Sequence, residues 1–212
     1  MEVLLAILKG VPVTLGITVL AFAIGLVGGI PLVLARRSKF PPLSWLAISI
    51  IELLRGIPPV VWLFIIYFGL GTQIPQITSF MAAVIGLGVV SSAYMAEIYR
   101  GGLRSIHQGQ WEAAEVLGLG RGSVYGDVIG PQVFRVSIPA AATYGIGLLK
   151  DSSVAYVIGV TEVVYYANEQ SRQQIDALGP FLIAAAVYIV MTLPTAWATR
   201  KLDANMRKRV AK

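Results

Sequence analysis

The chain has 212 residues, of which 56% are hydrophobic and only 13% are charged, and it carries a net charge of +6 and no cysteine. Soluble domains are about one quarter charged, so this sequence has too few polar side chains to cover a surface in water. The composition also excludes a disordered chain, a coiled coil and a small disulfide-bonded scaffold. It predicts an all-α polytopic membrane protein in which residues 1–212 form one transmembrane domain.

Five apolar segments are each long enough to cross a bilayer, for which about 20 residues suffice. They cover residues 11–35, 43–70, 78–99, 136–157 and 177–199. In the first segment, Gly25 and Gly29 form a small-xxx-small pair, which predicts close contact with another helix. The second segment contains Gly56-Ile57-Pro58-Pro59, which predicts a break in its helix.

Basic residues are concentrated after the first, third and fifth segments. They are Arg36, Arg37, Lys39, Arg100, Arg104, Arg121, Arg135, Arg200, Lys201, Arg207, Lys208, Arg209 and Lys212. Only Lys9 and Arg172 lie on the opposite side. Because basic residues mark cytoplasmic loops, this bias predicts an external N-terminus and a cytoplasmic C-terminus. The alternation of basic clusters along the chain also argues against a nucleic-acid surface. With the predicted orientation, residues 158–176 form a polar external loop or helix.

The cytoplasmic loop between the third and fourth segments contains two predicted short helices. The first covers Trp111–Leu117 and is ended by Gly118 and Gly120. A second begins near Ser123, which can cap it, and ends before Pro131. Ala113 and Ala114 have small side chains, so another protein can make close contact with this part of the first helix. The loop is therefore either a docking site or a solvated connector.

Two sequence stretches in this loop resemble a known motif. EAAEVLG (112–118), followed after nine residues by VIGP (128–131), resembles the EAA motif of binding-protein-dependent ABC importer permeases, with Val128 in place of Ile and Gly130 in place of Leu. Three further stretches resemble the polar amino acid (histidine/glutamine/arginine) subfamily of these permeases. They are ELLRGIPPVVWLFIIYFGL (52–70), AYMAEIYRGGLRSIHQGQ (93–110) and LLKDSSVAYVIGVTE (148–162).

This resemblance implies a type I ABC importer (MetI-like) architecture in a bacterial inner membrane, working by alternating access. Residues 109–131 would be the coupling loop that seats on an ATPase subunit. The coupling residues are then Gly109, Glu112, Ala113, Ala114, Gly118 and Pro131. The implied partners are an ABC ATPase dimer, a second permease subunit (identical or paralogous), an extracytoplasmic amino-acid-binding protein and an amino acid substrate.

Motifs for catalysis or nucleotide binding are not found in the sequence. It has no G-x-x-x-x-G-K-[ST] phosphate loop, no G-x-S-x-G and no H-E-x-x-H, and the single His107 cannot form a metal site alone. The chain is therefore expected not to be an enzyme and to hold no cofactor or metal. ATP and Mg²⁺ are expected on the partner ATPase.

Ionisable residues inside the predicted spans are costly, so they are candidates for a substrate pathway. A zwitterionic amino acid needs a cationic or N–H-rich partner and an anionic one, and a broken helix exposes backbone groups. The hypothetical pathway residues are Arg55, Gly56, Pro58, Glu97, Lys150, Asp151, Ser152 and Ser153. The alternative is structural: Glu52 can pair with Arg55, and Glu97 with Arg100.

Two other hypotheses remain open from the sequence. Glu162 lies near the predicted outer surface, where it could contact the delivering protein. The whole chain could also be an ATP-independent amino acid carrier or channel, or a membrane scaffold subunit. A carrier would not need the docking loop, and a scaffold would tolerate neutral residues in place of the intramembrane charges.

Overall fold

The computed structural model describes residues 1–71, 73–74, 76–173 and 177–210, with backbone only at residues 198 and 200–210. The described residues form helices and no strand, which confirms the all-α prediction. The side chains of the basic residues after the fifth predicted segment, Arg200 to Lys212, lie outside the part of the chain that the structure describes.

Ten α-helices follow one another in the described chain. They are α1 (Glu2–Leu8), α2 (Val11–Arg36), α3 (Pro41–Gly56), α4 (Pro59–Phe64), α5 (Ser79–Ser105), α6 (Gln108–Val116), α7 (Arg121–Ser123), α8 (Gly130–Asp151), α9 (Val163–Gln173) and α10 (Gly179–Val210). Three helices run directly into segments with other helical hydrogen bonding. These are a π-helical Ile65–Leu70 after α4, a π-helical Val124–Ile129 after α7 and a 3₁₀-helical Ser152–Ile158 after α8.

The predicted break in the second apolar segment is a sharp bend. Helix α3 and the α4 segment up to Leu70 are inclined by 101°. Ile57 and Pro58 between them are extended, with ψ angles of 132° and 140°. A residue before proline is pushed out of the helical region by the pyrrolidine ring, and Pro59 then suits the first position of the next helix. Residues 43–70 are therefore not one continuous helix.

Three stretches of the described chain are long and apolar enough to cross a membrane, namely Glu2–Arg36, Ser79–Ser105 and Gly179–Trp197. The bent pair Pro41–Gly56 and Pro59–Leu70 makes a fourth if it is counted as one broken span. The fourth predicted segment, 136–157, lies in α8 and the 3₁₀ segment and is not among these stretches. Many large apolar side chains on these helices are exposed, such as Val19, Val27 and Val190, as in a lipid-facing surface.

Helices α2 and α5 pack along a seam that we define by Gly25, Gly28 and Gly29 of α2 against Ser91, Ser92 and Met95 of α5. A Cβ added at Gly25 would lie 2.6 Å from the Ser91 Cβ, and one at Gly29 would lie 2.7 Å from the Met95 Cβ. The absence of side chains lets the two backbones approach, as the small-xxx-small pair predicted. This α2–α5 seam places the first turns of α6 and the start of α8 beside the ends of α2 and α5.

A second core joins the two ends of the chain. Ile7 of α1, Val163 and Ala167 of α9, and Ala184 and Val187 of α10 are buried against one another. Of the loop or helix predicted at 158–176, the structure contains the helix α9, and one face of it is part of this core. Residues 174–176 of that segment lie outside the described residues.

Candidate functional sites

Helix α6 of the predicted docking loop has defined caps at both ends. The His107 Nδ1 accepts a hydrogen bond from the Gly109 N–H at 3.1 Å, which satisfies one of the free donors at the N-terminus. At the C-terminus, Gly118 N–H donates to the Glu115 carbonyl (2.9 Å) and Leu119 N–H donates to the Ala114 carbonyl (3.1 Å). This pair of bonds is the Schellman motif, and it requires a left-handed residue, here Gly118 with φ +65°.

The two alanines of the predicted seat face in different directions. Ala114 is 2% exposed and packs inside the chain, whereas Ala113 and Glu112 are exposed. Only Ala113 is therefore available to a partner, because an α-helix turns about 100° per residue. The exposed surface continues into Val116 and Leu117, which are 87% and 73% exposed. These two residues were not predicted, although a branched apolar pair at the end of a polar loop helix is a signal that could have identified them.

The docking loop is attached to the rest of the molecule through aromatic and amide contacts. The Trp111 ring lies edge-on to Tyr125 with centroids 5.6 Å apart, and the Arg37 guanidinium lies 5.5 Å from the Trp111 ring centroid. Gln132 of α8 donates to the Gln110 side-chain oxygen at 3.1 Å. We call residues 106–129, which include α6, α7 and the following π-helical turn, the α5–α8 connection.

Gly130 and Pro131 form the junction between the π-helical turn and α8. A Cβ at Gly130 would clash with the Tyr125 carbonyl oxygen, so this turn leaves no room for the leucine of the motif. Pro131 occupies one of the first positions of α8, directly after the π-helical turn. The departure from the motif at position 130 therefore has a local steric reason.

The carboxylate of Glu97 is already occupied by two arginines. Arg100, three residues later on α5, donates to it through Nη2 at 2.6 Å and through Nε at 3.0 Å, as its spacing predicted. Arg36 at the end of α2 donates to the other oxygen. The side chains of all three residues are at most one quarter exposed. Glu97 thus joins the ends of α2 and α5, and its charge is not free for a substrate ammonium group.

Arg55 lies in an aromatic environment with part of its hydrogen-bonding capacity unused. Its guanidinium is 5.1 Å from the centroid of the Tyr94 ring, which stacks on Tyr144 at 4.9 Å. Its pairing with Glu52 is long, 3.9 Å. The Nε of Arg55 and the indole N–H of Trp62 are buried without a hydrogen-bond partner among the described residues. Tyr144 was not predicted as a site residue, since no local pattern relates it to Tyr94, 50 positions earlier.

The other predicted pathway residues lie at two further places, the α3–α4 bend next to Arg55 and the region where α8 ends. Lys150 and Ser153 line a cavity of about 310 Å³ with Phe181 and Tyr188 of α10. Asp151 is exposed at the end of α8, and Ser152 is fully buried with its hydroxyl donating to the Leu149 carbonyl at 2.8 Å. Gly56 and Pro58 are exposed at the α3–α4 bend. Within one chain, the eight residues are thus divided among several places.

Glu162, predicted near the outer surface, is not exposed for contact with a delivering protein in this chain. Its side chain is fully buried, and its carboxylate accepts hydrogen bonds from the Tyr165 N–H at 2.7 Å and from the Tyr188 hydroxyl at 2.9 Å. It precedes α9 and caps the N-terminus of that helix. Burial raises the pKa of this carboxyl above its ordinary value, in spite of these hydrogen bonds. Glu162 is an internal cap that connects α9 to α10.

Broken membrane helices are typical of transporters, and this helical bundle has one, together with a loop helix that exposes apolar residues. The chain belongs to the family of binding-protein-dependent transport system inner membrane components, whose model matches residues 21–208.

Its relatives are named as amino acid permeases. The chain is 37% identical to the arginine transport system permease protein ArtQ of Bacillus subtilis, over 95% of this chain and 92% of that protein. It is 32% identical to the glutamate/aspartate import permease protein GltK of Escherichia coli O157:H7, over 88% and 87% of the two chains.

Solved structures share the fold. An amino acid ABC transporter crystallised with histidines matches with a TM-score of 0.84 and 35% identity, over 96% of this chain and 94% of that one. The inward-facing MetNI methionine ABC transporter matches with a TM-score of 0.83 over 94% and 95% of the chains, at 18% identity, and this likeness concerns the fold alone.

Proposed function

We propose that this chain is the transmembrane permease subunit of an importer that moves polar amino acids across the bacterial inner membrane and is driven by separate ATPase subunits. The observation that carries the proposal is the exposed apolar end of α6, where Val116 and Leu117 project from a loop outside the predicted spans. Exposed apolar patches in water mark protein-interaction surfaces. The names of the relatives support the substrate class.

The proposed topology has five spans, an external N-terminus and a cytoplasmic C-terminus. The α3–α4 pair counts as one broken span. Helix α8 has 22 residues, so at 1.5 Å per residue it is about 33 Å long, enough for the hydrocarbon core of a bilayer. The basic residues at and beyond the ends of α2 and α5 and in the last part of α10 support the orientation. With this orientation the α5–α8 connection is cytoplasmic.

The α5–α8 connection would transmit ATP binding to the bundle. Glu112, Ala113, Val116 and Leu117 form the exposed contact surface, and the Gly118 cap fixes where α6 ends. Ala114, Gly109 and Pro131 hold this surface in place from within the chain. A partner shifts the equilibrium between inward- and outward-open states only by binding one state more tightly. The partner would have this preference because the conformation of the α5–α8 connection differs between the two states.

The partners follow from this role. ATP and Mg²⁺ would bind to an ATPase dimer, and this chain would contribute neither a catalytic residue nor a cofactor site. A second permease subunit, identical or paralogous, would complete the transmembrane path. An extracytoplasmic binding protein would deliver the amino acid to the side that carries α1 and α9.

The proposed substrate contacts begin at the α3–α4 bend. Arg55 would bind the substrate carboxylate, since its Nε and the Trp62 N–H have no partner among the described residues. Gly56 and Pro58 leave the neighbouring backbone accessible. Lys150, Asp151 and Ser153 would contribute from the end of α8, with Asp151 as the partner of the ammonium group. Glu97 and Ser152 have structural bonds instead, and they would act on the pathway indirectly.

The coupling surface is tested by the double variant Val116→Ser/Leu117→Ser. Because both side chains are exposed, the variant should insert and fold like the wild type. Burying one such side chain contributes about 1.5–3 kcal/mol, so ATPase subunits should co-purify at least about 10-fold more weakly. The matched control is Leu4→Ser/Leu5→Ser on exposed positions of α1. Undiminished co-purification of the ATPase with the first variant would remove the docking surface from the proposal.

The pathway and the alternative functions are tested by amino acid uptake. Arg55→Gln and Asp151→Asn should each abolish uptake in vesicles at normal expression, while Val19→Ala on the lipid-facing side of α2 should not. Wild-type uptake by both variants would refute the pathway and favour a scaffold. Uptake by the chain without any ATPase would instead establish an ATP-independent carrier.

A further inference from the structure

A basic cavity lies where the ends of α2 and α5 meet the beginning of α6. It has a volume of about 360 Å³ and is lined by Arg36, Arg37, Arg100, Leu103, Arg104 and Trp111. The four arginines come from two helices and converge on one space. Such a concentration of guanidinium groups provides forked N–H donors that match a phosphate group.

The charge in this cavity is only partly balanced. Glu97 is the acid that pairs with the cluster, and it binds Arg36 and Arg100. Arg37 lies over the Trp111 ring, and Arg104 is exposed, with no carboxylate partner among the described side chains. Four cations against one paired carboxylate, with Glu52 acting on Arg100 at longer range, leave an excess of positive charge in a partly closed space. The cavity therefore has an electrostatic preference for an anion.

An apolar groove begins at the wall of the same cavity. Leu103 borders both the basic cavity and a second cavity of about 430 Å³, whose other walls include Val27, Ile30 and Leu34 of α2 and Phe134 of α8. A third cavity of about 190 Å³ continues from there and reaches Phe22 and Ala142. It shares Leu26, Tyr99 and Phe134 with the second.

The groove has the length of one membrane leaflet. Along α2 it extends from Leu34 to Phe22, which is twelve residues, or about 18 Å at 1.5 Å per residue. Half of a bilayer hydrocarbon core is about 15 Å. A basic cavity at one end and an apolar channel of this length correspond to the headgroup and the acyl chain of one phospholipid.

We propose that this face binds one anionic glycerophospholipid of the cytoplasmic leaflet, with its phosphate among Arg37, Arg100 and Arg104 and an acyl chain between α2, α5 and α8. Basic pockets between membrane helices on the cytoplasmic side are known to bind anionic headgroups. The site depends on the orientation proposed above, but not on the transport function. It is distinct from the Arg55 pathway, none of whose residues lines it.

The test is native mass spectrometry of the complete complex, purified from nanodiscs with equal amounts of phosphatidylglycerol and phosphatidylcholine. The wild type should retain one phosphatidylglycerol per permease subunit. Arg37→Gln/Arg104→Gln should lower its affinity by about 30-fold, since each basic residue near an anionic lipid contributes about a factor of five. The matched control is Lys39→Gln/Arg135→Gln, which removes two positive charges outside the cavity and should change affinity less than about twofold.

A second pair of variants tests the acyl-chain groove. Val27→Trp fills the groove and should also abolish retention, whereas Val19→Trp, at a similarly exposed position of α2 outside it, should not. Equal retention by Val27→Trp and Val19→Trp would overturn the proposal. Displacement of the bound lipid by millimolar glycerol phosphate would also overturn it, because the cavity would then be a site for soluble anions. Retention of the lipid by the isolated permease but not by the complete complex would also overturn the proposal, because the cavity would then belong to the ATPase interface.

Discussion

The α2–α5 seam and the α5–α8 connection both depend on glycine, but for different reasons. At Gly29 of the seam, a Cβ would lie 2.9 Å from the backbone nitrogen of Ala96 and 2.7 Å from the Met95 Cβ. At Gly118 of the connection, a Cβ would meet nothing within 4 Å, but the backbone has φ +65°. The first glycine is needed for space, and the second for its backbone conformation.

The two regions also differ in the exposure of their apolar side chains. The seam buries Ala93, Met95 and Ala96 completely, while the connection exposes Val116 and Leu117. Close packing stabilises one arrangement of α2 and α5. An exposed apolar surface contributes nothing to the chain alone and gains its energy only from a partner. Damage to the seam should therefore lower stability, and damage to the connection should lower coupling in a folded protein.

The largest effect is expected at the seam. Gly29→Ala should destabilise the protein by about 3 kcal/mol, at the upper end for overpacking, because the nearest atoms include backbone. For a chain of this size that is about 6–12 °C in Tm. The control is Gly16→Ala on the same helix, where the nearest atoms are those of the Phe80 ring at 3.6 Å. Equal melting temperatures of the two variants in detergent would contradict the close approach of α2 and α5.

The ion pairs at the end of the seam should give the next largest effect. Glu97→Gln leaves Arg36 and Arg100 without their common carboxylate, and we expect a loss of about 2 kcal/mol, between an exposed and a fully buried pair. Glu52→Gln is the control, because its contact with Arg55 is longer and more exposed and should contribute less than about 1 kcal/mol. Thermal melting distinguishes them. If both variants melt alike, Glu97 does not join α2 and α5.

At the connection, Gly118→Ala should leave the melting temperature of the isolated permease almost unchanged. The left-handed conformation costs a non-glycine residue about 1 kcal/mol, so the docking-competent form of α6 should be about fivefold less populated. ATP hydrolysis by the assembled complex measures this. Gly120→Ala is the control, since Gly120 has φ −63° and equally open surroundings. Equal stimulated rates for the two variants would argue against a role of the α6 cap in coupling.

The smallest effect concerns Glu162, at the far end of the bundle from the connection. Because burial raises its pKa in the folded protein, folding takes up a proton between the ordinary and the raised pKa, and stability falls as pH rises through this window. Glu162→Gln imitates the protonated form and removes the dependence. The melting temperature of the wild type should thus drop relative to the variant as pH rises. Parallel curves for the two proteins would rule out a raised pKa.

Much of the helical architecture follows from local sequence. The α3–α4 break is decided by Pro58 and Pro59, and the end of α6 by Gly118, because each acts on its own backbone and its nearest neighbours. The Gly25/Gly29 pattern indicated a close helix contact but not that its partner is α5. The contact between Glu97 and Arg100 was predictable for the same reason, since three residues on a helix lie within reach.

The positions that sequence could not decide all depend on residues distant in the chain. Arg36 joins Glu97 from 61 positions away, Tyr188 holds Glu162 from 26 positions away, and Tyr144 stacks on Tyr94 from 50. Local spacing cannot say which of two neighbouring alanines faces the protein, so Ala114 appeared equivalent to Ala113. By itself the sequence determined the membrane class and the helix breaks, and it predicted a docking loop. Only the tertiary structure decided which charges are already satisfied, because that depends on which helices pack together.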